Sequence, residues 1–235
     1  MSVQKVAIIT GASQGIGAGL VAAYRELGYA VVATSRSITD GDDPGTVAVP
    51  GDAADPRTAV NVVRTALDRF GRVDTLVNNV GVFTAKPFTD TTEEDYALNL
   101  GVNLGGFFHF TRNAIVPMLE QGGGHIVNIT TTLVESARSD IPSVLASLTK
   151  GGIAAATKSL AVEYGDRGIR VNAVSPGMIL TPLQGGATPE QLAAFHPLQK
   201  AGTVDDIARG VVYLEQNEFV TGEFLHIDGG QSAGH

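Results

Sequence analysis

The segment Thr10-Gly11-Ala12-Ser13-Gln14-Gly15-Ile16-Gly17 carries the clearest chemical spacing in this 235-residue chain. It follows a short apolar run and opens a helical pattern. Gly11 permits a tight turn off a strand, Gly15 removes a side chain where a pyrophosphate approaches, and Gly17 lets the helix pack close to the sheet. The helix N-terminus then presents free N–H groups and a partial positive charge to the phosphates. Ser13, Gln14 and Ile16 belong to the same cradle. Glycines alone are a weak signal, because turns collect them. Strand, turn and helix in this order make a dinucleotide site the stronger reading.

The next strand ends at Ala33-Thr34-Ser35-Arg36-Ser37. A carboxylate there would bond the ribose 2′-hydroxyl of NAD, and none is present. Arg36 lies about twenty residues past the glycine turn, where a cation accommodates a 2′-phosphate. Ser13, Ser35 and Ser37 add hydroxyl donors. NADP(H) is therefore favoured over NAD(H), the alternative being a solvated surface arginine. No His, Asp and Glu cluster has metal-ligand spacing, and there are no cysteines, so no metal is expected.

Those side chains need elements to position them. Val6–Ile9, Ala30–Ala33, Thr46–Val49, Thr75–Val77, Ile126–Ile129, Val171–Val174 and Phe224–Ile227 read as short buried strands. Between them, residues near 15–27, 56–70, 92–119, 143–165 and 203–216 carry apolar side chains at helical spacing. Alternating strands and helices predict an α/β doubly wound sheet with right-handed crossovers. The stretch 39–45 reads as a surface turn. Met178 to Pro197 is the longest irregular-looking stretch, and a substrate lid is expected near 178–200. No repeat or linker divides residues 1–235, so one domain is expected.

Composition narrows the partners. Hydrophobic residues make up 43%, enough for a full core, and charged residues only 17%. Low charge suggests surface covered by other subunits. A net charge of −8 argues against nucleic acid or an anionic membrane as partner. The absence of cysteine, of a signal-like start and of a bilayer-length apolar run makes a cytoplasmic protein the expectation.

Further segments follow in one order: Asp52 with Ala53 after the third strand, Asn78-Asn79-Val80-Gly81 after the fourth, Asn103 within Gly101–Gly105, and Asn128-Ile129-Thr130-Thr131. Ser143-Val144-Leu145-Ala146-Ser147-Leu148-Thr149-Lys150, Ser175-Pro176-Gly177 with Thr181, and Val220 to Gly230 complete the series. Together with Thr-Gly-x-x-x-Gly-x-Gly, they resemble the short-chain dehydrogenase/reductase family over nearly the whole chain. The resemblance implies a Rossmann-type, mostly parallel seven-stranded sheet with helices on both faces. It also implies a homotetramer or homodimer, with residues 92–119 and 143–165 pairing across one interface and the last strand at another. By the same resemblance Asp52 contacts the adenine, Asn79, Val80 and Gly81 lie along the cofactor, and Pro176, Gly177 and Thr181 meet its nicotinamide end. Thr131 takes the place of the serine that polarises a substrate carbonyl, and Asn103 that of the asparagine holding an active-site water.

One position departs from the family. Its Tyr-x-x-x-Lys pair supplies the proton, and here the tyrosine's place is taken by Ala146. A methyl group neither donates nor accepts a proton. Residues i and i+4 share a helix face, so Ala146 and Lys150 line one wall. Ser147 is adjacent but points roughly 100° away around the helix, and Thr149 reads as structural. Thr132 is an alternative donor to Thr131, because the following loop is longer than usual. Lys150 holds the ribose hydroxyls and is a candidate acid, directly or through a water; a depressed pKa is expected on burial.

The histidines fit less chemistry. His109 is expected at a helix interface and His125 as a cap of the fifth strand, with His196 in the lid and His226 in the last strand. Glu135 and Asp140 read as solvated loop charges. Three functions remain. The first is an NADP(H)-dependent oxidoreductase on a small carbonyl or alcohol. The second is an NADP(H)-binding sensor or scaffold whose chemistry is impaired. The third and weakest is reduction of a polarised double bond, which needs no tyrosine.

Overall fold

The computed structural model describes residues 4–234. Seven strands form one sheet: β1 (Val6–Thr10), β2 (Ala30–Ser35), β3 (Thr46–Pro50), β4 (Thr75–Asn78), β5 (Gly124–Ile129), β6 (Ile169–Pro176) and β7 (Phe224–Ile227). Their order is β3-β2-β1-β4-β5-β6-β7, and every pairing is parallel. The expected "mostly parallel" sheet is thus wholly parallel. The order reverses between β1 and β4, and that switch point opens a crevice at the carboxyl ends of the strands.

Successive side chains of a strand face opposite ways, so each strand feeds two cores. Val6 and Ile8 of β1 pack on one face with Leu76, Phe110, Ile115, Ile126 and Val171. Ala7 and Ile9 pack on the other with Leu20, Val31, Val127, Val174, Ile207 and Leu214. The first face is covered by α2 (Pro56–Phe70), α4 (Gly106–Glu120) and α5 (Val144–Tyr164); the second by α1 (Gly15–Glu26) and α7 (Val204–Gln216). Two-sided burial explains why the strands read as continuous apolar runs.

The helix ends follow local chemistry. Asp55 caps α2 by accepting from the Arg57 N–H, Pro56 begins it, and Gly71 in the left-handed region closes it. Thr203 and Asp206 form a capping box at α7. The helix expected over 92–119 is broken into three pieces. α3 (Glu93–Asn99) runs into a π-helical turn at Leu100–Gly105, and α4 follows. Gly101, Gly105 and Gly106 weaken the regular helix here, and the wider turn inserts an extra residue. The segment 178–200, expected as a lid, is less irregular than its sequence suggests. It holds a 3₁₀ turn at Pro182–Gln184 and α6 (Pro189–Ala193), itself opened by a Thr188–Gln191 capping box.

Candidate active site

A cleft of about 430 Å³ runs along the carboxyl ends of β2, β1, β4, β5 and β6. Gly11 and Gly15 sit in the left-handed region, with φ of 65° and 55°. A Cβ at Gly17 would collide with the Gly11 carbonyl oxygen, so close packing demands glycine there. Gln14, at the N-cap of α1, makes no side-chain capping bond, and the first turn carries no acidic residue. The helix start therefore faces the cleft with its partial positive charge uncompensated by protein carboxylate.

The turn is braced from β4. The Thr10 hydroxyl donates to the Val77 carbonyl at 3.2 Å and accepts from the N–H groups of Asn79 and Val80 at 2.9 and 3.0 Å. The Asn79 amide donates to the Thr10 and Gly11 carbonyls at 2.9 and 3.2 Å. Asn79 lines the cleft, but its amide N–H groups face the glycine turn. At the end of β2, Thr34 and Ser35 also line the cleft, and their buried hydroxyls have no partner among the described residues. Unpaired buried hydroxyls beside a free helix N-terminus suit a ligand rich in phosphate and sugar oxygens. Arg36 and Ser37 stand exposed at the same rim, and Asp52 and Ala53 border it.

At the opposite end, α5 contributes Ala146 and Lys150, one turn apart and both on the wall. Lys150 is buried, and its ammonium donates to the Ile129 carbonyl at 2.8 Å. Burial pulls its pKa down to about 8. Thr131 follows β5. Its hydroxyl oxygen accepts from the Leu133 N–H at 3.3 Å, which leaves the O–H proton to donate into the cleft. Thr132 also reaches the wall but is more deeply buried. Ser147 turns away and donates to the Leu133 carbonyl at 3.0 Å. Thr149 donates to the Leu145 carbonyl at 2.8 Å.

Asn103 and Gly17 do not reach the cleft wall. Asn103 sits in the π-turn, where its amide oxygen accepts from the Val82 N–H at 2.9 Å. Its amide nitrogen donates to the Val82 carbonyl and to Thr149 Oγ1, both at 3.1 Å. Asn103 thus ties the loop after β4 to α5. Helical spacing across 92–119 gave no sign of that geometry. Pro176, Gly177 and Thr181 line the cleft. The cleft is also lined by Met178, Leu183 and Gln184 of the segment expected as a lid, and by three residues that sequence reasoning missed, Val82, Phe83 and Leu133. No motif marks them, since apolar loop residues look alike before folding brings them together.

The histidines need correction. His125 lies within β5 rather than capping it. It is buried, and its Nδ1 bonds Glu215 Oε2 at 2.9 Å while Nε2 meets the Asn172 amide at 3.1 Å. His196 is only 1% exposed, and its Nε2 accepts from the Met178 N–H at 3.0 Å, which clasps the lid to the end of β6. His109 is half-buried and edge-on to Phe108. His226 Nε2 pairs with Glu135 at 2.6 Å, and Arg138 pairs with Asp140. These two carboxylates are paired rather than merely solvated. Among the described residues, no group of three or more metal-ligating side chains is assembled.

The family described as enoyl-(acyl carrier protein) reductase matches residues 11–232. An uncharacterized oxidoreductase of Thermotoga maritima is 34% identical over 250 residues, covering 97% of this chain and 98% of that protein. ElxO with NADP bound superposes with a TM-score of 0.91 at 31% identity, over 98% of this chain and all of that one. A 3-ketoacyl-(acyl-carrier-protein) reductase from Brucella melitensis, complexed with NADH, gives a TM-score of 0.91 at 30% identity with the same coverage.

Proposed function

Because the chain belongs to the short-chain dehydrogenase/reductase family of oxidoreductases, we propose that it is an NADP(H)-dependent enzyme acting on a small carbonyl or alcohol, with Ala146 where the family carries its proton-donating tyrosine. The carrying observation is the meeting of a buried lysine and a hydroxyl with a spare proton, Lys150 and Thr131, at the far end of a cleft that begins at a phosphate-type cradle.

A nicotinamide cofactor, when bound, supplies or accepts the hydride. The rest falls to the chain. Gly11, Ser13, Gln14, Gly15 and Ile16 hold the diphosphate, with Gly17 packing the helix behind them. Ser35, Arg36 and Ser37 take the 2′-phosphate, and Asp52 and Ala53 border the adenine. Asn79, Val80, Gly81, Pro176, Gly177 and Thr181 flank the remainder. Lys150 meets the ribose hydroxyls and stores the proton, Thr131 donates to the substrate oxygen as charge develops, and Asn103 fixes the loop that Lys150 faces. Residues 1–235 act as one NAD(P)-binding domain with a lid at 178–200, in the cytoplasm. They assemble as a homotetramer or homodimer through the exposed apolar faces of α3, α4 and α5.

The second reading, an NADP(H)-binding sensor or scaffold, is favoured by Ala146 alone. Fluorescence titration with NADPH and NADH, then turnover on a carbonyl panel by the parent and Ala146→Tyr, separates them. We expect tighter NADPH binding, measurable parent turnover, and a gain of about a hundredfold or more on restoring the phenol. Tight NADPH binding with no parent turnover on any carbonyl would establish the sensor. Tighter NADH binding would remove the role given to Arg36.

A further inference from the structure

The Lys150 end of the cleft has an unusual balance of groups. Of the charged side chains on the cleft wall, Arg36 and Asp52 stand at the opposite end, so Lys150 is the one charge here. Its ammonium has three N–H donors and one protein acceptor among the described residues, the Ile129 carbonyl. Val82 and Leu133 are tied to α5 here, through Asn103 and Ser147, Phe83, Met178 and Leu183 add apolar side chains to the cleft wall, and Ala146 lies one helical turn from the lysine. An apolar recess over a small side chain, floored by a cation with unused donors, fits a flat aromatic ring carrying one weakly acidic oxygen.

Resting on the oxidoreductase reading above, we propose that the recess over Ala146 is a subsite for an aryl hydroxyl belonging to the substrate, and that the substrate class is the ortho-hydroxyaryl ketone. In such a ketone the phenolic O–H already points at its own carbonyl oxygen. With the ring lying over Ala146, the phenolic oxygen meets the Lys150 ammonium, and the carbonyl oxygen meets the Thr131 hydroxyl. On reduction, a C–H bond forms at the carbonyl carbon with the hydride of reduced nicotinamide, and the C=O π bond breaks. The alkoxide oxygen takes the phenolic proton, the phenolate takes a proton from Lys150, and the lysine regains one from solvent. The substrate thus brings the acid that residue 146 lacks. A para-hydroxyl is too far from its own carbonyl to do this, and a methyl ether has no proton to give.

The test needs no turnover to be informative. With NADP⁺ present, 2-hydroxyacetophenone, its methyl ether and 4-hydroxyacetophenone are titrated against the full chain by ultraviolet difference spectroscopy. Lys150 as ammonium stabilises phenolate. We expect a saturable phenolate band for the ortho-phenol at a pH where the free compound is un-ionised. Binding of the ether should be about tenfold or more weaker, and the para isomer should give no such band. Ala146→Phe fills the recess without adding a hydroxyl and should abolish the band, with NADPH binding and circular dichroism confirming that the variant is folded. With NADPH, parent kcat/KM should favour the ortho-phenol over its ether by about a hundredfold, and Ala146→Tyr should collapse that ratio. Equal binding of phenol and ether, or a band that survives Ala146→Phe, overturns the subsite. So does turnover of the ether but not the phenol. If NADPH fails to bind the parent at all, the oxidoreductase reading falls with it; if NADPH binds and only the ortho preference is missing, that reading stands.

Discussion

In the proposed reaction, proton supply turns on Lys150. Burial lowers its pKa to about 8, so the ammonium is present below that pH and is lost as pH rises through it. If it stores the proton for reduction, kcat for carbonyl reduction should hold below about pH 8 and fall tenfold per unit above it, while oxidation of the alcohol should gain over the same range. A stopped-flow pH profile checks both limbs; a flat reduction limb to pH 9 would assign Lys150 to cofactor binding alone. Arg36 makes a different prediction. It is exposed at the cleft rim and makes no ion pair among the described residues. A hydrogen-bonded charge contact is worth about 1.5–3 kcal/mol, so Arg36→Glu should weaken NADPH binding by about ten- to a hundredfold and strengthen NADH binding, as read by fluorescence titration. The two residues were visible in the sequence for unequal reasons. Lys150 stood in a motif; Arg36 was noticed through the missing carboxylate beside it.

Two contacts between elements carry consequences away from the chemistry. The side chain of Glu215 of α7 is only 7% exposed, and it gathers the hydroxyls of Tyr24, Tyr29 and Thr75 with the imidazole of His125, at 2.9, 2.9, 3.0 and 2.9 Å. It ties α1, β4, β5 and α7 together at the end of the sheet opposite the cleft. Burial works to raise its pKa, but these donors outweigh it and hold the carboxyl below the ordinary value of 4.5. Burial likewise holds His125 below its usual value, so neutral imidazole donates from Nδ1. A carboxyl with a depressed folded pKa contributes stability above its unfolded pKa and loses it as pH falls through the folded one. Glu215→Gln should cost about 3 kcal/mol at neutral pH, and its deficit should shrink below about pH 4.5; urea melts at several pH values read this out. No deficit at neutral pH would show the cluster to be energetically idle. The second contact fastens the segment 178–200. His196 Nε2 accepts from the Met178 N–H, and Gly177 and Gly229 pack closely against the ring. Removing the acceptor leaves that N–H unpaired, so His196→Ala should speed Met178 amide exchange by about tenfold. It should also raise substrate KM more than NADPH Kd. Unchanged exchange at Met178 would place the lid's hold elsewhere. In the sequence His196 was only a lid histidine, because its partner is a backbone group eighteen positions away.

At the scale of the whole molecule, the outer faces of the helices leave apolar side chains uncovered. Phe108 and Val116 of α4 and Leu148 of α5 are each 54% exposed, and Val162 of α5 is 86% exposed. A monomer would hold these in water at about 25 cal/mol per Å². Sedimentation should therefore give two or four times the 24.3 kDa chain mass, and Val162→Glu should shift the distribution toward smaller species; a parent that sediments as a monomer at micromolar concentration would end the assembly proposal. Among the described residues no helix is long and apolar enough to cross a membrane. The sheet was legible before folding because parallel strands buried on both faces must be apolar throughout, and the glycine turn because only glycine adopts its backbone. The break at Leu100–Gly105 was not, since helical periodicity on either side conceals a π-turn whose purpose appears only when Val82 and Thr149 arrive beside Asn103. By itself the sequence determined the strand and helix alternation and the glycine turn after the first strand, because these reside in residue type and local spacing. Only the tertiary structure decided the wall around Lys150, the depressed affinity of that lysine for its proton, and the burial of His125 and His196, because desolvation and contact depend on neighbours that are remote in the chain.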